Sequence, residues 1–167
     1  KLRKLEVSKN IDDNVARLTN IMNNSFDIKV RKFKIGCAGV GAAIIYIESI
    51  ADEDKIFNNI IKPMMIGTKD AVENGTKNAD VINIIKESLA SIGTIEEAET
   101  FDVAVLGITS GDTFIIVDGY TKGLIAGTKA LAGRSIDEAQ MEPSVKGSKE
   151  AFVENLKDNV GLLRKRI

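Results

Sequence analysis

The sequence predicts an α/β (α+β) domain with a mixed β-sheet, a central hairpin and about five surrounding helices. The main support is residues 110–119 (SGDTFIIVDG), where four consecutive β-favouring residues are followed by Asp118-Gly119. An apolar run without polar alternation is typical of a strand covered on both faces, in the middle of a sheet. Asp-Gly supplies the left-handed backbone angles of a tight turn, so residues 120–128 should run back beside that strand. Five segments with apolar residues at helical spacing complete the prediction.

The first helix is predicted over residues 10–22. Its apolar residues, Ile11, Val15, Leu18 and Met22, are spaced for one helix face. Ser8 or Asn10 can cap its first turn, and Asp12 and Asp13 place negative charge at the positive end of the helix dipole.

Two strands are predicted next, separated by a turn containing Gly36, Gly39 and Gly41. In the first strand the apolar residues alternate from Phe26 to Val30, but Phe33 and Ile35 have slipped to the opposite phase. This slip indicates a bulge or a change of sheet face near Lys32. The second strand, residues 42–50, should pair antiparallel with the first because the connection is short.

Two helices are predicted between residues 52 and 93. Asp52 and Asp54 begin the first, which Pro63 should kink or stop, although residues 64–66 continue its apolar face. After a loop at residues 73–78, the second helix covers residues 79–91 and ends at Gly93.

The remaining segments flank the central hairpin. Residues 95–101 are acidic and ambiguous, whereas residues 102–108 fit a strand or a short helix, of which we favour the helix. A polar loop is predicted over residues 131–147. The last helix is predicted over residues 149–164, with Phe152, Val153, Leu156, Val160 and Leu163 on its apolar side.

Composition excludes several classes of function. The 167 residues include no histidine, so imidazole-based catalytic triads and histidine metal sites are excluded. A net charge of -1 provides no basic field for nucleic acid, and the single cysteine, Cys37, has no partner for an internal disulfide. The longest uncharged run is the thirteen residues between Lys34 and Glu48, too short to cross a hydrocarbon layer of about 30 Å.

Two motifs allow a cofactor or metal interpretation beside a simpler one. Gly36, Gly39 and Gly41 follow a strand, as in a dinucleotide-binding loop, but Ile44 replaces the third small residue, so a glycine-softened turn is favoured. Residues 52–54 (DED) are acidic enough for a metal cluster. Their spacing misses the calcium-loop pattern, however, and charge at a helix N-terminus is the simpler interpretation. We therefore expect no cofactor and no metal.

Three further features also have two interpretations. Residues 110–112 (SGD) form a ligand-binding turn or simply lead into a strand. Cys37 is a nucleophile or a buried inert thiol, and the absence of a neighbouring base favours the inert thiol. Residues 164–166 (RKR) contact anionic lipid or a partner's carboxylates, or are a basic helix end favoured by the dipole.

Five segments, in order along the chain, carry a family resemblance. They are residues 26–36 (FDIKVRKFKIG), 44–52 (IIYIESIAD), 60–65 (IIKPMM), 110–119, and 145–167 preceded by Arg134 and Glu142-Pro143. Together they resemble the A subunits of GerA-type spore germinant receptors. The chain departs from the family pattern in the loop at residues 133–148, where Lys146 stands in place of the usual arginine and Ser148 in place of proline.

The resemblance implies that residues 1–167 are the first part of the hydrophilic N-terminal domain of an A subunit. The parent protein would add a second subdomain and a membrane domain in the spore inner membrane, with this domain on the cytoplasmic side. Its implied partners are the receptor B and C subunits and other A subunits, and nucleic acid is not among them. The family offers no catalytic motif to carry over, so we expect no enzymatic activity.

The expected role is receptor assembly or relay of the nutrient signal during germination. An alternative is that the domain itself binds a small nutrient molecule, and another is that it belongs to the related subunit associated with the dipicolinate channel. The candidate contact residues, in the hairpin, the following loop and the final helix, are Asp118, Gly119, Arg134, Glu142, Arg164 and Arg166.

Overall fold

The computed structural model describes residues 5–36, 39–66 and 81–130. The strands are β1 (Ile28–Ile35), β2 (Val40–Ile47), β3 (Ile95–Ala98), β4 (Thr113–Val117) and β5 (Gly123–Ala126). The helices are α1 (Ile11–Ile21), α2 (the continuous run Glu53–Ile56, Phe57–Ile61 and Lys62–Ile66), α3 (Val81–Ser88) and α4 (Phe101–Thr109). The α+β class is confirmed, with four helices in the described part instead of about five. The predicted helix over residues 149–164 lies outside the described residues.

The five strands form one sheet in the order β1-β2-β4-β5-β3, with β1 at one edge. All pairings among these strands are antiparallel, so the sheet is antiparallel and not mixed. Two of the pairs, β1–β2 and β4–β5, are hairpins, which can only pair antiparallel. The helical connections lead to strands that lie apart in the sheet, so they create no parallel neighbours.

Strand β4 occupies the centre of the sheet, and all five of its residues are buried, as its uninterrupted apolar run predicts. The β4–β5 hairpin is also confirmed. Its connection, residues 118–122, is longer than the predicted two-residue turn. Gly119 has φ +84°, Asp118 is not among the residues with positive φ, and the Tyr120 N–H donates to the Val117 carbonyl at 3.3 Å. This geometry fits a type II turn, which needs positive φ at its third position only.

Strand β1 changes the face that carries its apolar residues without a bulge. Its register with β2 runs unbroken from Ile28 opposite Ile47 to Ile35 opposite Val40. Ile28 and Val30 pack against the cluster on one face of the sheet, whereas Phe33 and Ile35 pack in the cluster on the other. The change of sheet face is therefore confirmed and the bulge is not present.

The core consists of two clusters, one on each face of the sheet. The first lies under α2 and α3 and includes Met64, Ile85 and Leu89. The second lies under α1 and α4 and includes Leu18 and Phe101. The described part of the chain is therefore a three-layer arrangement of helices, sheet and helices, stabilised by apolar burial on both sides of β4.

Pro63 does not end α2, so of the predicted kink or stop the stop is wrong, and the helix is instead irregular just before the proline. Residues Phe57–Ile61 form a π-helical turn, and the Lys62 N–H donates to the Phe57 carbonyl five residues back. Proline has no N–H and its ring clashes with the carbonyl four residues earlier. The wider turn accommodates both defects, and the helix continues to Ile66.

Several local predictions are confirmed at residue level. The Asn10 Oδ1 caps α1 by accepting from the N–H groups of Asp12 and Asp13 at 2.8 and 3.1 Å. The helix predicted over residues 102–108 is α4, and α3 lies within the predicted residues 79–91. The ambiguous acidic segment contains β3. The predicted loops at residues 73–78 and 131–147 lie outside the described residues.

Candidate functional site

The end of the β4–β5 hairpin joins two other parts of the chain. The Asp118 N–H donates to the Gly41 carbonyl at 2.9 Å, and the Gly119 N–H donates to the Lys9 carbonyl at 2.9 Å. Both Asp118 and Gly119 are exposed. The hairpin end is therefore fixed by its backbone to β2 and to the segment before α1, while its side chains face solvent.

Asp118 lines a groove that sequence reasoning did not anticipate. Lys34 lies opposite Gly41 in the sheet, and Gly41 in turn is bonded to Asp118. Because Gly41 has no side chain, Lys34 and Asp118 lie on either side of backbone that no side chain covers. The resulting hairpin groove, of about 480 Å³, is also lined by Asn10, Asp12 and Lys32.

The charges in the hairpin groove are partly paired. The Lys32 Nζ lies 2.5 Å from the Asp12 Oδ1 and links β1 to the first turn of α1. Within the described ranges, neither Lys34 nor Asp118 forms an ion pair with another described side chain. One cation and one anion thus remain available at the open side of the groove.

The other predicted contact residues lie outside the described part of the chain. They are Arg134, Glu142, Arg164 and Arg166. Of the six predicted residues, the structure places only Asp118 and Gly119, which are neighbours at the hairpin end. The roles of all six stay predictions.

A buried tyrosine links the sheet to the start of α2. The Tyr46 hydroxyl donates to the Glu53 Oε1 at 2.8 Å, and an Arg31 guanidinium nitrogen lies 3.6 Å from the same oxygen. Burial, reinforced by the hydrogen bond to Glu53, raises the pKa of Tyr46 to about 12. The hydroxyl is therefore neutral at physiological pH and acts as a positioning donor for the Glu53 carboxylate.

Replacing Tyr46 with phenylalanine is expected to alter the alkaline stability of the domain. Between about pH 10 and the native pKa of about 12, the unfolded protein releases the Tyr46 proton while the native protein retains it. Wild-type stability should therefore fall as pH rises through this range, and Tyr46→Phe should lack that part of the slope. At neutral pH the variant should lose about 0.5–1.5 kcal/mol, the usual net contribution of a hydrogen bond. Urea denaturation at several pH values measures both effects, and parallel pH curves for the two proteins would contradict the assignment.

A second charged cluster lies near the edge strand β3. Lys86 of α3 and Lys122 of the hairpin both pair with Glu97, and Lys122 also pairs with Glu99. Hydrogen bonds from Lys86 and Lys122 hold the pKa of Glu97 below its ordinary value. The Glu99 carboxylate raises the pKa of Lys122. These exposed groups form a screened surface network with little effect on stability.

A second groove, the α4 groove, lies between the outer flank of α4 and strand β5. Its apolar floor and wall are formed by Val103, Leu106, Gly107 and Ile125, and it measures about 240 Å³. Glu96 and Asp112 lie on its rim.

The glycine-containing turn and the acidic residues 52–54, for which a cofactor or metal interpretation was considered, each have a structural role in the described residues. The glycine-containing turn leads into β2 and not into a helix, so it lacks the helix N-terminus that a dinucleotide loop requires. The Asp52 side chain accepts from the Lys55 N–H at 3.0 Å and caps α2. In the segment at residues 110–112, predicted as a ligand-binding turn or a strand entry, Gly111 has φ +99° and is buried just before β4. Among residues 5–36, 39–66 and 81–130, no group of three carboxylate or thiol side chains is arranged to hold a metal ion.

None of the helices in the described ranges has both the length and the apolar character needed to cross a bilayer.

A family model described as "Bacillus/Clostridium GerA spore germination protein" matches residues 16–167. Among known proteins, the chain is 27% identical over 168 residues to "Spore germination protein KA" of Bacillus subtilis (strain 168), covering 100% of this chain and 30% of that protein. It is 28% identical over 161 residues to "Uncharacterized membrane protein YfkQ" of the same organism, covering 96% of this chain and 30% of that protein. The chain thus spans about 30% of the length of each of these two relatives.

A solved structure has the same fold. It is the N-terminal domain of the A subunit of the Bacillus megaterium spore germinant receptor GerK3, which matches with a TM-score of 0.76 and 26% sequence identity. The match covers 99% of this chain and 57% of that one.

Proposed function

Because the chain belongs to the Bacillus/Clostridium GerA spore germination protein family, we propose that it is a contact-making domain of a germinant receptor A subunit. In this role it holds receptor subunits together or relays the nutrient signal. The observation that carries the proposal is the match, over 99% of this chain, to the N-terminal domain of a germinant receptor A subunit. We propose no enzymatic role.

The hairpin end is the element best placed to pass a signal into the fold. Its exposed residues Asp118 and Gly119 continue directly from β4, which pairs with β2 on one side and β5 on the other. A partner that shifts this end acts on β2 through the hydrogen bond to Gly41, and on the segment before α1 through the hydrogen bond to Lys9. Relay in this sense requires two arrangements of the hairpin end that the partner binds with different affinity.

The proposed setting follows the family. Residues 1–167 form the first part of the hydrophilic N-terminal domain, on the cytoplasmic side of the spore inner membrane. The B and C subunits and other A subunits are the partners with which it makes contact.

Substitution of the predicted contact residues in the whole receptor tests the proposal. Asp118→Ala, Arg134→Ala, Glu142→Ala and Arg164→Ala are compared with Asp54→Ala, an exposed position on α2. We expect at least one contact variant to slow nutrient-induced germination severalfold. Unchanged receptor abundance would then indicate relay, and reduced abundance would indicate assembly. Normal germination and normal abundance in all four contact variants would contradict the proposal, while Asp54→Ala should behave as wild type.

Direct nutrient binding is the second candidate, and the hairpin groove favours it. Lys34 and Asp118 offer opposite charges on the two sides of a groove of about 480 Å³, a pattern suited to a small zwitterionic molecule. Titration of the purified domain with amino acids, sugars and nucleosides, followed by amide NMR shifts, tests it. Saturable shifts at the groove that disappear in Lys34→Ala would support binding. If none of these compounds shifts the amide signals, nutrient binding is contradicted and subunit contact is the one role still proposed.

A further inference from the structure

Helix α4 is apolar on almost every side. Phe101, Ala104 and Ile108 face the core, yet Leu106, on the opposite side, is 69% exposed, and Val103 is 39% exposed. A helix that is hydrophobic all round is typical of a protein interior and not of a surface. The outer side of α4 therefore has the composition of a covered surface.

The α4 groove gives this outer side a defined shape. Gly107 forms part of its wall, and a Cβ added there would lie 2.9 Å from the Ile125 Cγ2, so bare backbone packs against that side chain. The groove, of about 240 Å³, has room for one or two apolar side chains of an adjacent helix.

The rim of the α4 groove is acidic. Glu96 and Asp112 lie on it, and neither forms an ion pair with a side chain of the described ranges. An occupant that matches the groove therefore combines an apolar ridge with basic residues.

We propose that residues 149–166 of the same chain dock in the α4 groove as an amphipathic helix. Their apolar side chains Phe152, Leu156, Val160 and Leu163 recur at spacings of four, four and three, which places them on one helix face. Arg164, Lys165 and Arg166 follow directly, and their positive charges would pair with the Glu96 and Asp112 carboxylates on the rim. The docked helix would lie beside α4 and convert it from a surface helix to a buried one.

The connection is long enough for this docking. The described part ends at Ala130, whose N–H donates to the Ile50 carbonyl at 3.0 Å. Residues 131–148 then give 148 − 131 + 1 = 18 linking residues, which reach about 60 Å when extended. This exceeds the diameter of a domain with a radius of gyration of about 13 Å, so the α4 groove is within reach.

Hydrogen exchange of the full 167-residue chain tests the docking. In the wild-type protein, amides of residues 150–163 should be protected, and Leu106→Glu or Leu156→Glu should lower that protection at least tenfold. Protection of β2 and β4 should stay unchanged in both variants, because Leu106 lies outside the two core clusters. Asn83→Glu, the same charge change at an exposed position of α3, should leave residues 150–163 protected.

A photo-crosslinking amino acid at position 106 identifies the occupant independently. A crosslink within one chain, to a peptide from residues 149–166, is expected. Crosslinks only between two chains, or to other parts of the chain, would overturn the proposal. So would unprotected amides at residues 150–163 in the wild-type protein, or equal protection in wild type and Leu106→Glu.

Discussion

Replacing Phe114 with alanine is expected to destabilise the domain by about 3–5 kcal/mol, the usual cost of deleting a fully buried aromatic side chain. Phe114 is completely buried, lies in the central strand β4 and belongs to the cluster under α1 and α4. The surrounding strands are fixed by pairing on both sides of β4, so the core has little freedom to close the cavity. Urea denaturation with a common m value for the two proteins measures the loss.

The chain offers a matched control for this substitution. Phe26 is 69% exposed, and Phe26→Ala should change stability by no more than about 0.5 kcal/mol, as expected for a surface position. A loss of less than about 1 kcal/mol in Phe114→Ala, or equal losses in the two variants, would show that β4 is not the centre of the core.

The second large effect is expected from Gly123→Ala, at the start of β5. A Cβ at this position would lie 2.2 Å from Cε2 and 2.4 Å from Cζ of the Phe114 ring, and 2.9 Å from the Ile115 carbonyl oxygen. The ring thus occupies the space that a side chain at residue 123 would need. Overpacking of this kind typically costs about 1–3 kcal/mol, measured in the same denaturation experiment.

Two comparisons separate this clash from a general effect of losing a glycine. Gly93 has open space where a Cβ would be placed and no positive φ, so Gly93→Ala should be neutral or stabilising by up to about 1 kcal/mol. In the background of Phe114→Leu, which shortens the side chain over Gly123, the added cost of Gly123→Ala should shrink by about 0.5–3 kcal/mol. An unchanged cost in that background would contradict the contact between the two residues.

Much of the fold could be predicted from local patterns. The buried run of β4, the Asn10 cap of α1 and the helical spacing of α3 each depend on neighbouring residues, and the structure confirms them. Residues 95–101 were ambiguous because Glu96 and Glu97 interrupt the alternation that marks a half-buried strand. Of the two alternatives given for β1, the change of sheet face is confirmed and the bulge is wrong, because a strand with helices on both faces can bury either phase of its side chains.

Other features depend on contacts between distant parts of the chain. A proline at position 63 is usually incompatible with a helix interior, and only the π-helical turn before it lets α2 continue. Asp118 could be identified from its turn, but the hairpin groove could not, because the groove needs Lys34 and Gly41 in adjacent strands and Asp118 beside them at the end of β4. The pairing of β2 with β4 brings Gly41 to Asp118. Neither local sequence contains a pattern that predicts this pairing.

Strand β1 has a consequence for self-association. This edge strand carries four cations, Lys29, Arg31, Lys32 and Lys34. If two copies added edge to edge through β1, these like charges would face each other across the new pair, which is unfavourable. Lysine-rich edges are a common protection against aggregation by strand addition. Contacts between copies of this domain are therefore expected to avoid β1 and to use side-chain surfaces, where specific recognition does not require an open strand.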